Sequence, residues 1–310
     1  MYHNNSTTEN GQPLPTLLTV FDHDLQQLQL RVGIDRTQST LVRQQQLRAY
    51  VSDFLAEKHQ VTDIPLAQLS AGFIYDFASW LSTSRRYRGG TVWLACQQLK
   101  SVVSRAYQRG LVSSNPFYAF HIGRNIRPRQ FLTAGEVRQL IDHPLDDPQQ
   151  AFYRDLFVFS ALTGMAFADI CHLRPADIRL IDGQRWIVAQ RQKTHTPFQV
   201  MLLPQAAAIA DRYSQGGGTV FGPVVYRTLA KHIPAIISAC GIQKHVTFHC
   251  ARHTFAVMAL DAGMPIESIS RILGHTNITT TQIYAKITLS KLGQDMEQMI
   301  KNLKKTGIID

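Results

Sequence analysis

The chain has 310 residues, 45% of them hydrophobic and 17% charged, enough apolar material for two cored domains at about 100 to 200 residues each. No apolar run approaches the roughly 18 residues that cross a bilayer, and the start, MYHNNSTTENGQPLP, lacks the basic and apolar regions of a secretion signal. Membrane insertion is excluded on this reading and a cytoplasmic protein expected, while a net charge of +10, from 32 basic against 22 acidic residues, favours a polyanionic partner.

Residues 1–14 read as a disordered polar tail. From residue 15 to 122 the pattern is helical: Leu17, Leu18, Phe21, Leu25 and Leu28 recur at helical spacing, and Thr40-Leu41 opens a second stretch through Tyr50, Phe54 and Leu55. Ile74, Phe77, Trp80 and Leu81 mark a third helix, and Gly89-Gly90 precedes a fourth carrying Val92, Leu94, Leu99, Val102, Val103 and Tyr107. This predicts a unit of four or five helices. Its basic residues Arg85, Arg86, Arg88, Lys100 and Arg105 gather around the third connection and fourth helix, where a DNA-backbone-contacting surface and an ordinary solvated face are both open readings.

The polar, arginine-rich stretch HIGRNIRPRQ places a linker at 123–131, and the second domain runs from 132 to 310. Thr133 and Glu136 have the spacing of a capping box and start a helix with Val137, Leu140 and Ile141. A helix follows over Ala151 to Leu162, and a short one over Phe167 to Leu173. Trp186 to Ala189 and Pro197 to Leu202 read as strands of a hairpin around Gln190 to Thr196. Gly216-Gly217-Gly218 marks a loop, and helices resume from Val225 to the end.

The C-terminal segment concentrates the chemistry. His249 and Arg252 lie three apart at the start of an apolar-faced helix, so both can reach one phosphate. Arginine offers a planar, permanently charged pair of donors, and imidazole adds a donor or proton shuttle near neutrality. Pro265 starts the next helix, Gly274 ends it and exposes His275, and a helix from Asn277 carries Tyr284. Cys96, Cys171, Cys240 and Cys250 form no C-x-x-C pair, and none of the 12 histidines has metal-ligand spacing, so reduced thiols and no metal or other cofactor are expected.

The segments FHCARHTFA and ILGHTNITTTQIYAK, with FSALTGMAFADICHL and AQRQKTH upstream, resemble the signature of the tyrosine recombinases, or phage integrases, over nearly all of residues 15 to 300. The resemblance implies a mainly α protein: a helical, SAM-like core-DNA-binding domain, then a mostly helical catalytic domain with a small β-sheet and a C-terminal tail helix. It implies a site-specific recombinase or integrase in which Tyr284 attacks a DNA phosphate, leaving a 3′-phosphotyrosyl bond and a free 5′-hydroxyl. A hydroxyl from another strand then reseals the DNA without metal or ATP. Arg252 would stabilise phosphate charge, His249 and His275 would donate to the phosphate or assist proton transfer, and Lys193 would protonate the departing 5′-oxygen. Double-stranded DNA, a homotetramer on paired sites and accessory DNA-bending proteins are the implied partners. The short polar start points to inversion or resolution rather than a large integrative complex.

One position departs from the family pattern. Thr163-Gly164-Met165 is followed by Ala166 where an arginine is usual, while the acidic residue three positions later is kept as Asp169, which would buttress the pocket. Arg191 is the expected stand-in: two residues before Lys193, it faces the same side if both lie on a strand. Arg174 and Arg154 compete for that role. The tail residues Leu292, Met296, Met299, Ile300 and Leu303 make an apolar stripe that packs either on its own domain or on another protomer. Two other readings are carried: an architectural or regulatory DNA-binding protein that has lost catalysis, and a type IB topoisomerase that needs no pairing of sites.

Overall fold

The computed structural model describes residues 15–123, 130–214, 218–284 and 289–308. The tail at 1–14, six linker positions at 124–129 and two of the three loop glycines, Gly216 and Gly217, lie outside the described residues. The chain divides into two compact units, Met1–Arg127 and Pro128–Asp310.

The first unit holds α1 (Leu17–Leu30), α2 (Gln38–Phe54), α3 (Ala71–Thr83) and α4 (Gly89–Gln108). A π-helical turn, Leu55–His59, continues α2 and ends at Gln60 in the left-handed region. Phe54 anchors the core, with the rings of Phe73, Phe77 and Trp80 within 5.5 Å of its own, a share of aromatic packing that few residue types could supply. His59 stacks on Phe73, and its burial holds the imidazole below its usual range. On α4 the buried stripe is Val92, Ala95, Cys96, Leu99, Val102, Val103 and Ala106. Leu94 and Tyr107 fall off that three-four spacing and are exposed, contrary to the apolar face read for them. Cys96 is buried among apolar neighbours, which pushes its thiol up to about 12.

The second unit is built around α6 (Pro148–Thr163), which packs against α5 (Ala134–Asp142), α8 (Pro204–Tyr213), α9 (Tyr226–Ala239) and α10 (Phe248–Asp261). Its buried residues run round the helix and are mostly apolar, among them Tyr153, Leu156, Phe157, Val158, Phe159 and Ala161, as a central helix requires. The helix starts three residues before the expected Ala151, because the Asp147 carboxylate accepts the Gln149 N–H at 2.8 Å and Pro148 takes the first helical position. The capping box at Thr133 and Glu136 forms as expected, with reciprocal bonds of 2.7 and 3.2 Å.

After α7 (Phe167–Cys171) comes an antiparallel sheet of β1 (Ile178–Ile181), β2 (Gln184–Gln190) and β3 (Pro197–Met201), in that order. The hairpin of β2 and β3 was expected; β1 was not. Its edge strand is mostly exposed and so lacks an apolar pattern, although Asp182-Gly183, both at positive φ, is the turn signal that announces it. Helix α8 was also missed. Beyond α10 come α11 (Ile266–Ile272), the one-turn α12 (Thr279–Gln282) and α13 (Leu289–Lys305).

A buried polar cluster ties α6 to α8. The Asp155 carboxylate accepts bonds from Arg154 at 3.0 Å and the Tyr213 hydroxyl at 2.9 Å, and also pairs with Arg212. Burial, then the bond to Asp155, pushes the Tyr213 phenol up to about 12. Asp155→Ala leaves Arg154 with the His143 carbonyl alone and the half-buried Tyr213 hydroxyl without its acceptor, and urea unfolding is expected to show a loss of about 3 kcal/mol. A loss under 1 kcal/mol would show that water or other groups satisfy them.

Candidate active site

Thr247 caps α10 and the helix begins at Phe248, so His249, Arg252 and His253 all stand in its first two turns. Arg252 is 8% exposed. Its guanidinium donates to the carbonyl of Gly164 at 2.7 Å, to the carbonyl of Leu273, and to His275 Nε2 at 3.0 Å. Gly164 caps α6 and Leu273 caps α11, so two helix C-termini aim carbonyls at one cation. Since a guanidinium only donates, His275 Nε2 accepts, and the ring proton sits on Nδ1, which donates to Thr281 Oγ1 at 2.8 Å.

Thr281 is fully buried in α12, and its carbonyl accepts the Tyr284 N–H at 3.0 Å. Tyr284 therefore stands in the turn after α12, two residues beyond the helix expected to carry it. Three threonines in a row, each with weak helix propensity, let the helix close after a single turn. The Tyr284 hydroxyl is hydrogen-bonded to His253 Nδ1, with the rings 5.3 Å apart and tilted by 49°. His253 was absent from the expected site. Its signal was spacing: it lies four residues after His249 on α10, and the two rings meet edge to face at 4.6 Å.

Arg191 reaches the pocket from the opposite wall. It is 5% exposed, pairs with Asp169 at 2.7 Å, donates to the Ile272 carbonyl at 2.6 Å, and lies 3.8 Å over the Phe198 ring. Its Nε is buried and has no hydrogen-bond partner among the described residues. That nitrogen faces Gly274, where an added Cβ would come within 2.6 Å of it; Gly274 also has φ +58°, so glycine is required twice over. The other oxygen of Asp169 accepts the Gln192 N–H at 2.9 Å, so Asp169 anchors both Arg191 and the turn that follows β2.

The strand argument that joined Arg191 to Lys193 does not hold. Both lie past the end of β2, in a turn closed by Arg191 N–H to Thr196 O at 2.9 Å and His195 N–H to Arg191 O at 2.8 Å. Arg191 is buried and Lys193 exposed, so alternation does not relate them, and Lys193 stands apart from the bonded network. Of the competitors, Arg154 is committed to Asp155 and the His143 carbonyl, while Arg174, exposed before a 3-10 turn, lines a cavity with Asp169, Gln192 and Phe198. Ala166 caps α7 beside a cavity of about 70 Å³ lined by Phe167, Tyr226, His249 and Arg252.

The electrostatics follow from this packing. Burial, and then the like charge of Arg191, push the Arg252 guanidinium down to about 10, against the opposing pull of Tyr284 and Asp169. Burial likewise lowers Arg191, opposed by Asp169. Arg252 stays cationic at neutral pH, and two guanidiniums face one carboxylate. The pocket carries a positive excess suited to a phosphate.

In the first unit the basic cluster is largely engaged within the fold. Arg85 pairs with Asp53 and Glu57 at 2.7 and 2.9 Å and lies 4.9 Å over Trp80; Arg105 pairs with Asp24 at 2.8 Å. Lys100 donates to the carbonyls of Tyr118 and Phe120 at 2.8 and 2.9 Å. Arg86 and Arg88 are exposed.

The profile of the Phage integrase family matches residues 130–290, and that of the Phage integrase SAM-like domain matches residues 16–122. The tyrosine recombinase XerC of Halalkalibacterium halodurans is 24% identical over 288 residues, 86% of this chain and 92% of the relative. In structure the chain is similar to the Tn1549 transposon integrase in complex with a circular intermediate DNA, with a TM-score of 0.73 at 16% identity over 91% of this chain and 99% of that one. It is also similar to a lambda integrase tetramer bound to a Holliday junction, with a TM-score of 0.67 at 20% identity over 91% and 78%. At such identities the structural likeness speaks for the fold, and the family profiles carry the assignment. With both of its units matched, the chain belongs to the phage integrase family and is a site-specific tyrosine recombinase.

Proposed function

We propose that Tyr284 is the nucleophile of a strand exchange on double-stranded DNA, attacking the scissile phosphate to give a 3′-phosphotyrosyl bond and a free 5′-hydroxyl. The observation that carries this reading is the bonded chain from Arg252 through His275 and Thr281 to the segment of Tyr284. It ties the Arg252 guanidinium to the backbone of the residue that carries the phenol. Keeping the phosphodiester energy in a covalent bond lets a second strand reseal the DNA without an external energy source.

Arg252 neutralises charge on the non-bridging oxygens, with His275 fixing its orientation and His249, exposed at the first turn of α10, donating to the same phosphate. Arg191 supplies the second cationic charge where Ala166 leaves none, supported by the unmatched buried Nε and by its effect on Arg252. Asp169 holds Arg191 in place. Lys193, exposed in the turn that Asp169 anchors, protonates the departing 5′-oxygen. Arg86 and Arg88 contact the DNA backbone from the first unit, while Arg85, Lys100 and Arg105 serve that unit's own fold. The working assembly is a homotetramer on paired sites, with α13 packing on a neighbouring protomer: Met296, Met299 and Ile300 are 40 to 46% exposed on it, and the Leu292 side chain lies outside the described residues.

Incubation with nicked suicide duplexes carrying sequences from the DNA flanking the gene is expected to trap a covalent adduct on denaturing gels. The Tyr284→Phe protein should bind the same duplex and form none; an adduct at another residue would displace Tyr284. On a trapped site, Arg191→Ala is expected to slow cleavage about a hundredfold, as loss of one charge-stabilising donor does. Cleavage at the wild-type rate would remove Arg191 from the site. Deleting residues 288–310 should abolish pairing of two sites in gel-shift assays and spare single-site binding. Unchanged assembly would return α13 to its own protomer.

A further inference from the structure

We propose that His253 is the proton acceptor for Tyr284 when the strand is cut, an inference that rests on Tyr284 being the nucleophile. A phenol attacks phosphorus only as it loses its proton, and the group in contact with the phenol oxygen is His253 Nδ1. The histidine is 3% exposed, so no bulk water competes for that bond, and Tyr284 is itself half-buried. Arg252 and His253 are consecutive on α10, so one rigid helix sets the phosphate-binding cation and the proton acceptor at a fixed separation.

The titratable groups facing His253 are His249 from its own helix, ring to ring at 4.6 Å, and Tyr284 from the segment after α12. Arg252, next on the helix, turns away to Gly164, Leu273 and His275. His249 is exposed toward the cavity beside Ala166, whereas His253 is enclosed, and this divides the two imidazoles between phosphate and nucleophile.

The step balances without another reactant. The Tyr284 O–H bond breaks and its proton passes to His253 Nδ1 as the Tyr284 oxygen bonds to phosphorus. The bond from phosphorus to the 5′-oxygen breaks, and that oxygen takes a proton from Lys193. On resealing, the attacking 5′-hydroxyl returns a proton to Lys193 and the imidazolium returns one to the departing phenol. Across a full exchange no proton is gained or lost.

The test is the rate of covalent adduct formation by the full chain on a nicked suicide duplex, from about pH 5 to pH 9, a range that brackets the ordinary imidazole value of about 6.5. His253→Asn keeps a short polar acceptor in place of Nδ1 but takes up no proton in this range. Wild-type cleavage is expected to rise through the imidazole range and level off; His253→Asn should lose that rise and run about a hundredfold slower, with site binding and thermal midpoint kept. A second substrate carries sulfur in place of the bridging 5′-oxygen, a leaving group that needs no proton. On it Lys193→Ala should recover and His253→Asn should remain slow.

An unchanged rate or pH profile in His253→Asn, or its recovery on the sulfur substrate, overturns the proposal. His253→Gly with added imidazole gives an independent reading: restored cleavage supports the role, and no restoration in protein that still binds its site counts against it. Absence of any Tyr284 adduct in the wild type is a separate failure, of the nucleophile assignment itself, and takes this inference with it.

Discussion

A guanidinium withdrawn from water keeps its charge only where fixed acceptors replace the solvent, and the second unit is organised around meeting that demand for Arg252. An unpaired cation in such a place costs several kcal/mol, so the acceptors must be rigid and correctly placed. They are backbone carbonyls at helix ends: Gly164 after α6 and Leu273 after α11. The last carbonyls of a helix have no donor within it, and the partial negative charge of the dipole gathers there. Arg191 uses the same resource one residue earlier, at Ile272. Two buried cations thus complete the end of α11, and the helix end holds both.

Much of this was legible in the chain. The four long helices of the first unit, the helices of the second unit other than α8, the hairpin, the capping box and the nearness of Arg252 to His275 follow from local periodicity and from motif residues close in sequence. What escaped was what sequence distance or exposure conceals. The edge strand β1 buries little and so carries no apolar rhythm, and α8 rests on alanines that leave a faint pattern. His253 was readable only as a spacing, since its contact with Tyr284 spans 31 residues and depends on the fold of α11 and α12.

Arg191 enters the buried network by a route that strand alternation does not describe. Strand alternation would have placed it beside Lys193 on one face, but the chain leaves β2 at Gln190 and folds into a turn. Burial is instead enforced by Asp169 and Phe198, which hold the guanidinium on three sides together with Ile272. Asp169 also fixes the turn through Gln192 N–H, so the carboxylate that pairs the cation sets the base of the loop bearing Lys193.

Ala166 then acquires a meaning beyond the loss of a donor. Arg191 already lowers Arg252 by like charge, and among the described residues the carboxylate that stands against the pair is Asp169. Ala166 lines a cavity together with Arg252 and His249, so an arginine there would stand a third guanidinium beside Arg252. Its like charge would lower the Arg252 guanidinium further, as Arg191 already does. With Arg191 in place, the small residue at 166 spares Arg252 a second like-charged neighbour.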